Sequence, residues 1–447
     1  MPPRILPRGD LQFIPKYPGT ECSLHKYSGF NSHSNMNTLR RFASQCPRTT
    51  YRTLSTKPEK PLSGITIVSL EQAISAPFCT RQLADLGARV IKIERPGVGD
   101  FARHYDTRVN GLASHFIWTN RSKESLALDL KNPKDHRILT HLLHRADVLV
   151  QNLAPGASAR LGLAHETLKT THPSLVVCNI SGYGPDGPYR DKKAYDLLIQ
   201  SEAGLLNVTG SAPGKPAKVG ISIADIAAGS YAYSNILAAL FRRQRDPQAR
   251  GCNIDVSMLE SMVEWMGFPM YYTYQGASPP VPAGAAHAAI YPYGPFETGD
   301  GKSVMLGIQN EREWANFCTK VLQKPELVND ARFSSNSLRV QNRDVLRSII
   351  IDAFSANTAE DVLCLLDEAA IANASVNDMQ GVWNHPQLRA RERWTDVRTP
   401  EGTVPALLPP GMDKGDPESN GLQASIGAVP RVGEHNQAIL AELGLEE

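Results

Sequence analysis

From Ile65 onward the chain alternates short apolar runs with longer amphipathic stretches, the pattern of strands interleaved with helices. Ile65 to Leu70 and Arg89 to Ile93 read as strands around a predicted helix from Phe78 to Leu86. Further strands are expected at Ser125 to Leu130, Asp147 to Gln151 and Leu175 to Ile180, with a helix over Pro133 to His144. Near-continuous apolar strands alternating with helices predict a mostly parallel sheet covered on both faces.

After Ile180 the texture changes. Gly182 to Pro188 is a loop of glycine and proline, followed by helical periodicity over Ala194 to Leu206 and a long apolar helix from about Ile221 to Phe241. Asn253 to Val256 reads as a short strand and Met258 to Tyr272 as a helix. Small residues dominate Pro279 to Ala289, which predicts a loop. Later expectations are a strand at Ser303 to Ile308 and helices at Glu311 to Leu322, Arg343 to Phe354, Ala359 to Glu368 and Gln387 to Trp394. The Pro- and Gly-rich tail from Thr399 to Pro430 is expected to run extended before a last helix at Asn436 to Leu443.

At 447 residues the chain exceeds what one core usually serves, so two domains are expected. The predicted division is a leader over 1–60, a large domain over 61–275, a lid and linker over 276–291, a small domain over 292–398 and a return segment over 399–447. The leader is poor in acids and rich in Arg, Ser and Thr, the composition of a mitochondrial transit peptide, and Met36-Asn-Thr-Leu-Arg-Arg begins its most characteristic part. A mitochondrial matrix location is therefore expected, with the cytoplasm as the alternative, and Met36 competes with Met1 as the start.

Charge changes the picture little. Lys and Arg total 47 against 45 for Asp and Glu, so neither nucleic acid nor a membrane surface is an expected partner and anions must be recognised locally. Seven dispersed cysteines without a Cys-x-x-Cys pair point away from thiolate metal sites. His141 and His144 lie one turn apart without a third ligand, so no metal is expected. No Gly-x-Gly-x-x-Gly follows the first strand, and neither a Walker sequence nor a Gly-x-Ser-x-Gly elbow occurs.

What remains is a set of turns at the C-terminal ends of parallel strands, the rim where such sheets bind ligands. Lys92 to Gly97 and Asn152 to Gly156 are two of these turns, and Gly182 to Tyr189 leads into a third position, Tyr195-Asp196. An Asp in the first turn of a helix serves the helix electrostatically, and the same surroundings keep a nucleophilic carboxylate ionised. Local chemistry leaves both readings open.

The ordered series Gly64-Ile-Thr-Ile-Val68, Ala76-Pro-Phe-Cys79, Leu86-Gly-Ala-Arg-Val-Ile-Lys-Ile-Glu94, Asn120 with Lys123, Leu128-Asp-Leu-Lys131, Val150-Gln-Asn152, Pro155-Gly156, Gly182-Tyr-Gly-Pro185 and Tyr195-Asp196 resembles the class III CoA-transferases. This is the family of formyl-CoA transferase and carnitine CoA-transferase, and the resemblance continues through Gly284 to Phe296 and Gly307 to Trp314. It implies an α/β fold with a Rossmann-like parallel sheet in the large domain and a smaller α/β domain, in a homodimer of interlocked rings.

The resemblance also implies roles. Asp196 matches the catalytic aspartate; Arg95, Asn152, Leu153 and Arg160 match residues lining the CoA site. Ile74 and Ser75 fall near the thioester, and Lys123 falls in a loop beside the adenine. Ser181 departs from formyl-CoA transferase, which has a lysine there. The implied activity moves CoA from an acyl-CoA, succinyl-CoA by preference, to a short dicarboxylate of the itaconate, mesaconate, glutarate or malate type, with the CoA thioester as substrate and no permanently bound cofactor. Gly284 and His287 belong to the lid, where His287 is positioned either to meet a distal carboxylate or to pack on Tyr291. Alternatives are a 2-methylacyl-CoA racemase-like isomerase and a non-catalytic CoA-binding member. Racemases of this fold place a histidine where this chain has Tyr195, although Asp225 matches their second acid.

Overall fold

A computed structural model describes residues 60–211, 215–414 and 421–445. The basic leader with Met36 lies outside the described residues.

Six parallel strands form the main sheet: β1 (Thr66–Leu70), β2 (Arg89–Glu94), β3 (Lys123–Ala127), β4 (Val148–Gln151), β5 (Val176–Ser181) and β6 (Cys252–Ser257). Their spatial order is β3-β2-β1-β4-β5-β6, so the winding reverses between β1 and β4. Such a reversal opens a crevice at the C-terminal strand ends. The central strands β1, β4 and β5 are largely apolar because both faces are buried, whereas the edge strand β6 exposes Asn253 and Asp255; neighbouring residues along a strand serve opposite layers. Ile67, Val90, Val148 and Val150 pack under α1 (Ser75–Asp85) and, further along the chain, the helix Ile223–Arg245. Val68, Ile91, Leu149 and Val177 face α2 (Pro133–Leu143) and, again further along, the helix Asn436–Leu443. Each such side chain taken out of water contributes roughly 1.5–3 kcal/mol before entropy is charged against it.

Two helices bring candidate site residues to the rim. The first, α3 (Asp196–Glu202), follows the Gly182 loop; the second, α4 (Ile223–Arg245), lies along α1. Small residues Ala224, Ala228, Gly229 and Ala232 let α4 approach closely, and a Cβ on Gly229 would stand 2.5 Å from the Ser75 carbonyl oxygen. The start of α4 is thereby held against the start of α1.

A separate core forms around an antiparallel sheet of β7 (Tyr293–Glu297), β8 (Ser303–Gly307) and β9 (Ala372–Ser375), with β8 central. Phe296, Leu306, Trp314, Phe333, Leu346 and Phe354 fill it.

Several expectations need correcting. The helix predicted over Gln387 to Trp394 stops early: Pro386–Ala390 is helical, Glu392 takes a left-handed φ of 48°, and Trp394–Thr399 is a strand. That strand, β10, pairs antiparallel with β11 (Gly402–Leu407), so the expected extended tail begins as a hairpin. Val397 and Val404 of the hairpin bury against Phe116 and Val429, a tertiary contact that overrides the local helical pattern. The predicted helix Met258 to Tyr272 breaks at Met266 into α5 (Met258–Trp265) and α6 (Gly267–Tyr272). The last helix, α7 (Asn436–Leu443), has its predicted bounds and buries Ile439 on the main sheet. Among the described residues, no helix is long and apolar enough to cross a membrane.

Candidate active site

The loop after β5 folds back because Gly182 lacks a side chain: a Cβ there would lie 2.2 Å from the Ala194 Cβ. Ser181 Oγ accepts the Gly184 N–H at 3.0 Å and tightens this turn, and Lys192 caps the edge-to-face pair Tyr183 and Tyr189 by cation–π contact. Tyr195, exposed and extended, then delivers Asp196 to the first turn of α3.

The Asp196 carboxylate is half-buried and held at both oxygens. The Ala224 N–H donates to Oδ1 at 2.8 Å, and the Gln200 side-chain amide donates to Oδ2 at 2.6 Å. Gln200 is buried and is itself oriented by the Val219 N–H, which donates to its Oε1 at 3.1 Å. Two neutral donors fix the group while leaving it lone pairs for a substrate.

Asp225 follows Ala224 in the first turn of α4, and Ser75 and Asp196 are among the groups that act on its carboxyl. Burial, and next the negative charge of Asp196, push the Asp225 carboxyl up to about 7. Ser75 is fixed in turn across the crevice. The Asn152 Nδ2 donates to Ser75 Oγ at 3.2 Å and to the Gln72 carbonyl at 2.9 Å, while its Oδ1 accepts the Gln72 N–H at 2.9 Å. Asn152 therefore ties β4 to the β1–α1 turn at the reversal point, and Leu153, half-buried, follows with its N–H on Gln151 Oε1 at 2.8 Å. Ile74 lies buried at the same turn.

The turn is also anchored from below by a buried charge network. Lys92 Nζ contacts Asp100 at 2.8 Å and Glu71 at 3.3 Å, Lys123 Nζ contacts Glu71 at 2.6 Å, and Thr80 donates to Glu71 at 2.6 Å. Asp100 Oδ1 accepts the Ala73 N–H at 3.1 Å, and Arg103 pairs with Glu94 at 2.7 Å. Burial would raise the Glu71 carboxyl, but Lys123 and Lys92 hold it below its ordinary range. Burial pulls the Lys123 ammonium down to about 8.

Lys123 therefore differs from its sequence-based placement. It opens β3 rather than standing in a loop, and its side chain is wholly enclosed by Glu71, the Pro77 carbonyl and Asn120. Its role seen here is to hold the β1–α1 turn. The cations at the surface of the rim are Arg95, exposed after β2, and Arg160, exposed with its guanidinium over Gly156; neither has an ion-pair partner among the described residues.

In the small-residue segment, the Gly284 N–H donates to the Gly210 carbonyl at 2.8 Å, which joins the segment to the chain that follows α3. His287 is exposed and stacks on Tyr293, 5.3 Å between rings and 3° from parallel, rather than on Tyr291, which is buried in the smaller core. Its Nδ1 accepts the Ala289 N–H at 3.1 Å.

Three participants escaped sequence reasoning. Gln200 stands at i+4 from Asp196, a helical spacing that signals contact. The Ala224 N–H carries no side-chain signal at all. Tyr105, half-exposed, is raised by burial and then by the charges of Asp100, Asp225 and Tyr195, so these groups are its neighbours. A cavity lined by His165, Arg242, Arg245 and Arg250 opens beside the start of β6 and is not part of this site.

The chain is similar in sequence to known CoA-transferases. The chain is 34% identical over 385 residues to the succinyl-CoA:glutarate CoA-transferase of Mus musculus, covering 86% of each chain. It is 31% identical over 397 residues to the succinyl-CoA:mesaconate CoA-transferase of Haloarcula hispanica, covering 86% of this chain and 96% of that one. A CAIB/BAIF family protein from Brucella suis superposes with a TM-score of 0.76 at 31% identity, over 86% of this chain and 100% of that one. The sequence profile of CoA-transferase family III matches residues 62–436, and the chain belongs to that family of CoA-transferring enzymes.

Proposed function

We propose that the enzyme moves CoA from succinyl-CoA to a short dicarboxylate, with Asp196 as the covalent carrier. The observation that carries this reading is a carboxylate fixed at both oxygens by Gln200 and the Ala224 N–H at the C-terminal rim of the sheet. Asp196 attacks the donor thioester to give an aspartyl-acyl anhydride and CoA; CoA then attacks the aspartyl carbonyl and the donor acid leaves. The acceptor carboxylate attacks the resulting aspartyl thioester, and CoA passes to the acceptor acyl group of the new anhydride. Only a carboxyl side chain can be both anhydride and thioester, which a serine cannot.

Arg95 and Arg160 are read as contacts for the CoA phosphates, as free cations at the rim. The segment 276–291 is read as a linker and lid between a large and a small domain, excluding water from two hydrolysable intermediates. The His287 ring edge not used by Ala289 is read as the contact for a distal carboxylate. Glutarate and mesaconate are named for the relatives above, which supports a dicarboxylate acceptor here. The exposed run Trp265, Phe268, Met270, Tyr271, Tyr272 and Tyr274 supports a homodimer that buries it. The acid-poor leader supports import into the mitochondrial matrix.

Transfer is tested by offering succinyl-CoA with glutarate, mesaconate, itaconate and malate to the wild type and Asp196→Ala. Loss of about 10³-fold or more on removing a covalent nucleophile is expected; a variant within tenfold of wild type removes the mechanism. Because Asp196 and Asp225 together supply two acid/base groups, an epimerase reading has one structural argument. Deuterium wash-in at the α-carbon of a 2-methylacyl-CoA decides it, and none is expected.

A further inference from the structure

Beside the start of β6 lies an open cavity of about 830 Å³, and its lining includes His165, Phe241, Arg242, Arg245, Asp246 and Arg250. Three arginines there face one carboxylate. Asp246 is already engaged, accepting from the Arg250 Nε at 2.8 Å and from the Gln248 N–H at 3.0 Å. Glu166, next to His165, is paired with Lys169. The positive charges of Arg242 and Arg245 are therefore left over, with no ion-pair partner among the described residues.

Cations in the last turn of a helix ordinarily serve its dipole, and at the end of α4 Arg243 does so. It meets the Asp147 carboxylate at 2.6 Å and the Ser174 carbonyl at 3.0 Å, fastening the helix to its neighbours. Its companions are not used in this way. Arg242 commits one nitrogen to the Gly251 carbonyl at 3.2 Å, and Arg245 makes no hydrogen bond among the described residues. The Arg245 guanidinium instead lies over the Phe241 ring, 3.9 Å from its centroid. Stacking holds the plane of the fork and leaves its N–H groups free to bind. A further group completes the lining: the His165 Nδ1 is buried and has no hydrogen-bond partner among the described residues. A buried polar atom without a partner is destabilising, and a ligand that supplies the partner relieves it.

We propose that this cavity binds a small anion carrying two or more linked phosphate groups. A guanidinium fork takes phosphate oxygens in pairs, and two arginines without a carboxylate call for more than a single phosphate. The volume falls within the roughly 300–1,000 Å³ of ordinary ligand pockets and leaves room for an organic group attached to the phosphates. A nucleoside triphosphate and inorganic tripolyphosphate share the required chemistry. The inference is independent of Asp196, because the cavity shares no residue with the groups assigned to CoA transfer. An occupant would join the end of α4 to His165 and so raise the melting temperature of the folded chain.

The test is calorimetric titration of the full chain at low salt with ATP, tripolyphosphate and citrate, the last a trianion without phosphate. Wild type is expected to bind both phosphate compounds with Kd below about 1 mM, and citrate at least about tenfold more weakly. Arg245→Gln, whose side chain meets only Phe241, is expected to melt like wild type without ligand and to weaken both phosphate compounds about tenfold or more. Arg242→Gln is expected to do the same, whereas Arg95→Ala binds them as wild type does. Tighter binding of ATP than of tripolyphosphate supports the site with an organic phosphate as occupant; equal binding supports it with an inorganic chain. No binding at about 5 mM ligand, binding untouched in both Arg242→Gln and Arg245→Gln, citrate bound as tightly as tripolyphosphate, or loss in Arg95→Ala alone overturns the proposal.

Discussion

The Asp196 carboxylate accepts the Ala224 main-chain N–H at 2.8 Å, so this acid is held by a helix that begins 27 residues further along the chain. The contact needs no side chain at Ala224, only that the first turn of α4 be delivered to this spot. Close packing of α4 on α1 delivers it.

Gly229 is the position at which that packing can be tested. In Gly229→Ala the new Cβ would meet the Ser75 carbonyl at 2.5 Å, and a main-chain oxygen cannot swing aside. Overpacking costs about 1–3 kcal/mol, more than the ~1 kcal/mol that Ala gains over Gly in a helix. Lower stability in urea is expected, together with a fall in kcat of about tenfold or more as the start of α4 shifts from Asp196. Unchanged stability and rate would show that the approach is not tight.

Gln200→Ala removes one of the two donors on Asp196 and also the acceptor of the Val219 N–H. A hydrogen bond to a charged group is worth about 1.5–3 kcal/mol, so kcat is expected to fall about 10- to 100-fold with KM for acyl-CoA little changed. Gln200→Glu brings a negative charge toward Asp196 and is expected to be slower still above neutral pH.

Arg95 and Lys123 separate two roles that sequence reasoning had joined. Arg95→Ala and Arg160→Ala are expected to raise KM for acyl-CoA about tenfold each and to leave melting unchanged, since both side chains are exposed. Lys123→Met leaves Glu71 with one fewer cation in a sealed network. Removing one member of a buried pair costs about 3–5 kcal/mol, so loss of stability, read by denaturant titration, is expected to dominate.

Asp225→Asn carries a stability signature. The folded carboxyl binds its proton up to about 7, against 3.8 for the free group, so the folded state holds more protons than the unfolded state between these values. Wild-type stability therefore falls as pH rises through that window, whereas an amide does not titrate. At pH 8 the variant is expected to exceed wild type by on the order of 2 to 4 kcal/mol, and near pH 4 the advantage vanishes. Parallel urea titrations at the two pH values check the sign.

The same residues show how far the chain could be read in one dimension. Val68, Ile91 and Val148 announce parallel strands because residues buried on both faces must be apolar whatever the topology. The helix Arg343–Phe354 could be delimited to the residue because its amphipathic period is local. The ordered motifs pointed to Asp196, and the structure adds its hydrogen bond from Gln200, which lay within reach of the same helical period.

Folding in three dimensions decided the rest. Lys123 reads as a loop cation until burial against Glu71 makes it part of the sheet's foundation, and the helix read over Gln387 to Trp394 ends at Ala390, with Trp394 opening a strand that pairs with Gly402–Leu407. The contact of Asp196 with the Ala224 N–H joins α3 to the start of α4, a helix whose own close packing on α1 depends on the missing side chain of Gly229. Local periodicity follows from bonds between near neighbours and is written along the chain; the proton affinity of a carboxyl depends on which distant charges and how much water the folded chain brings to it, and those are settled only by packing.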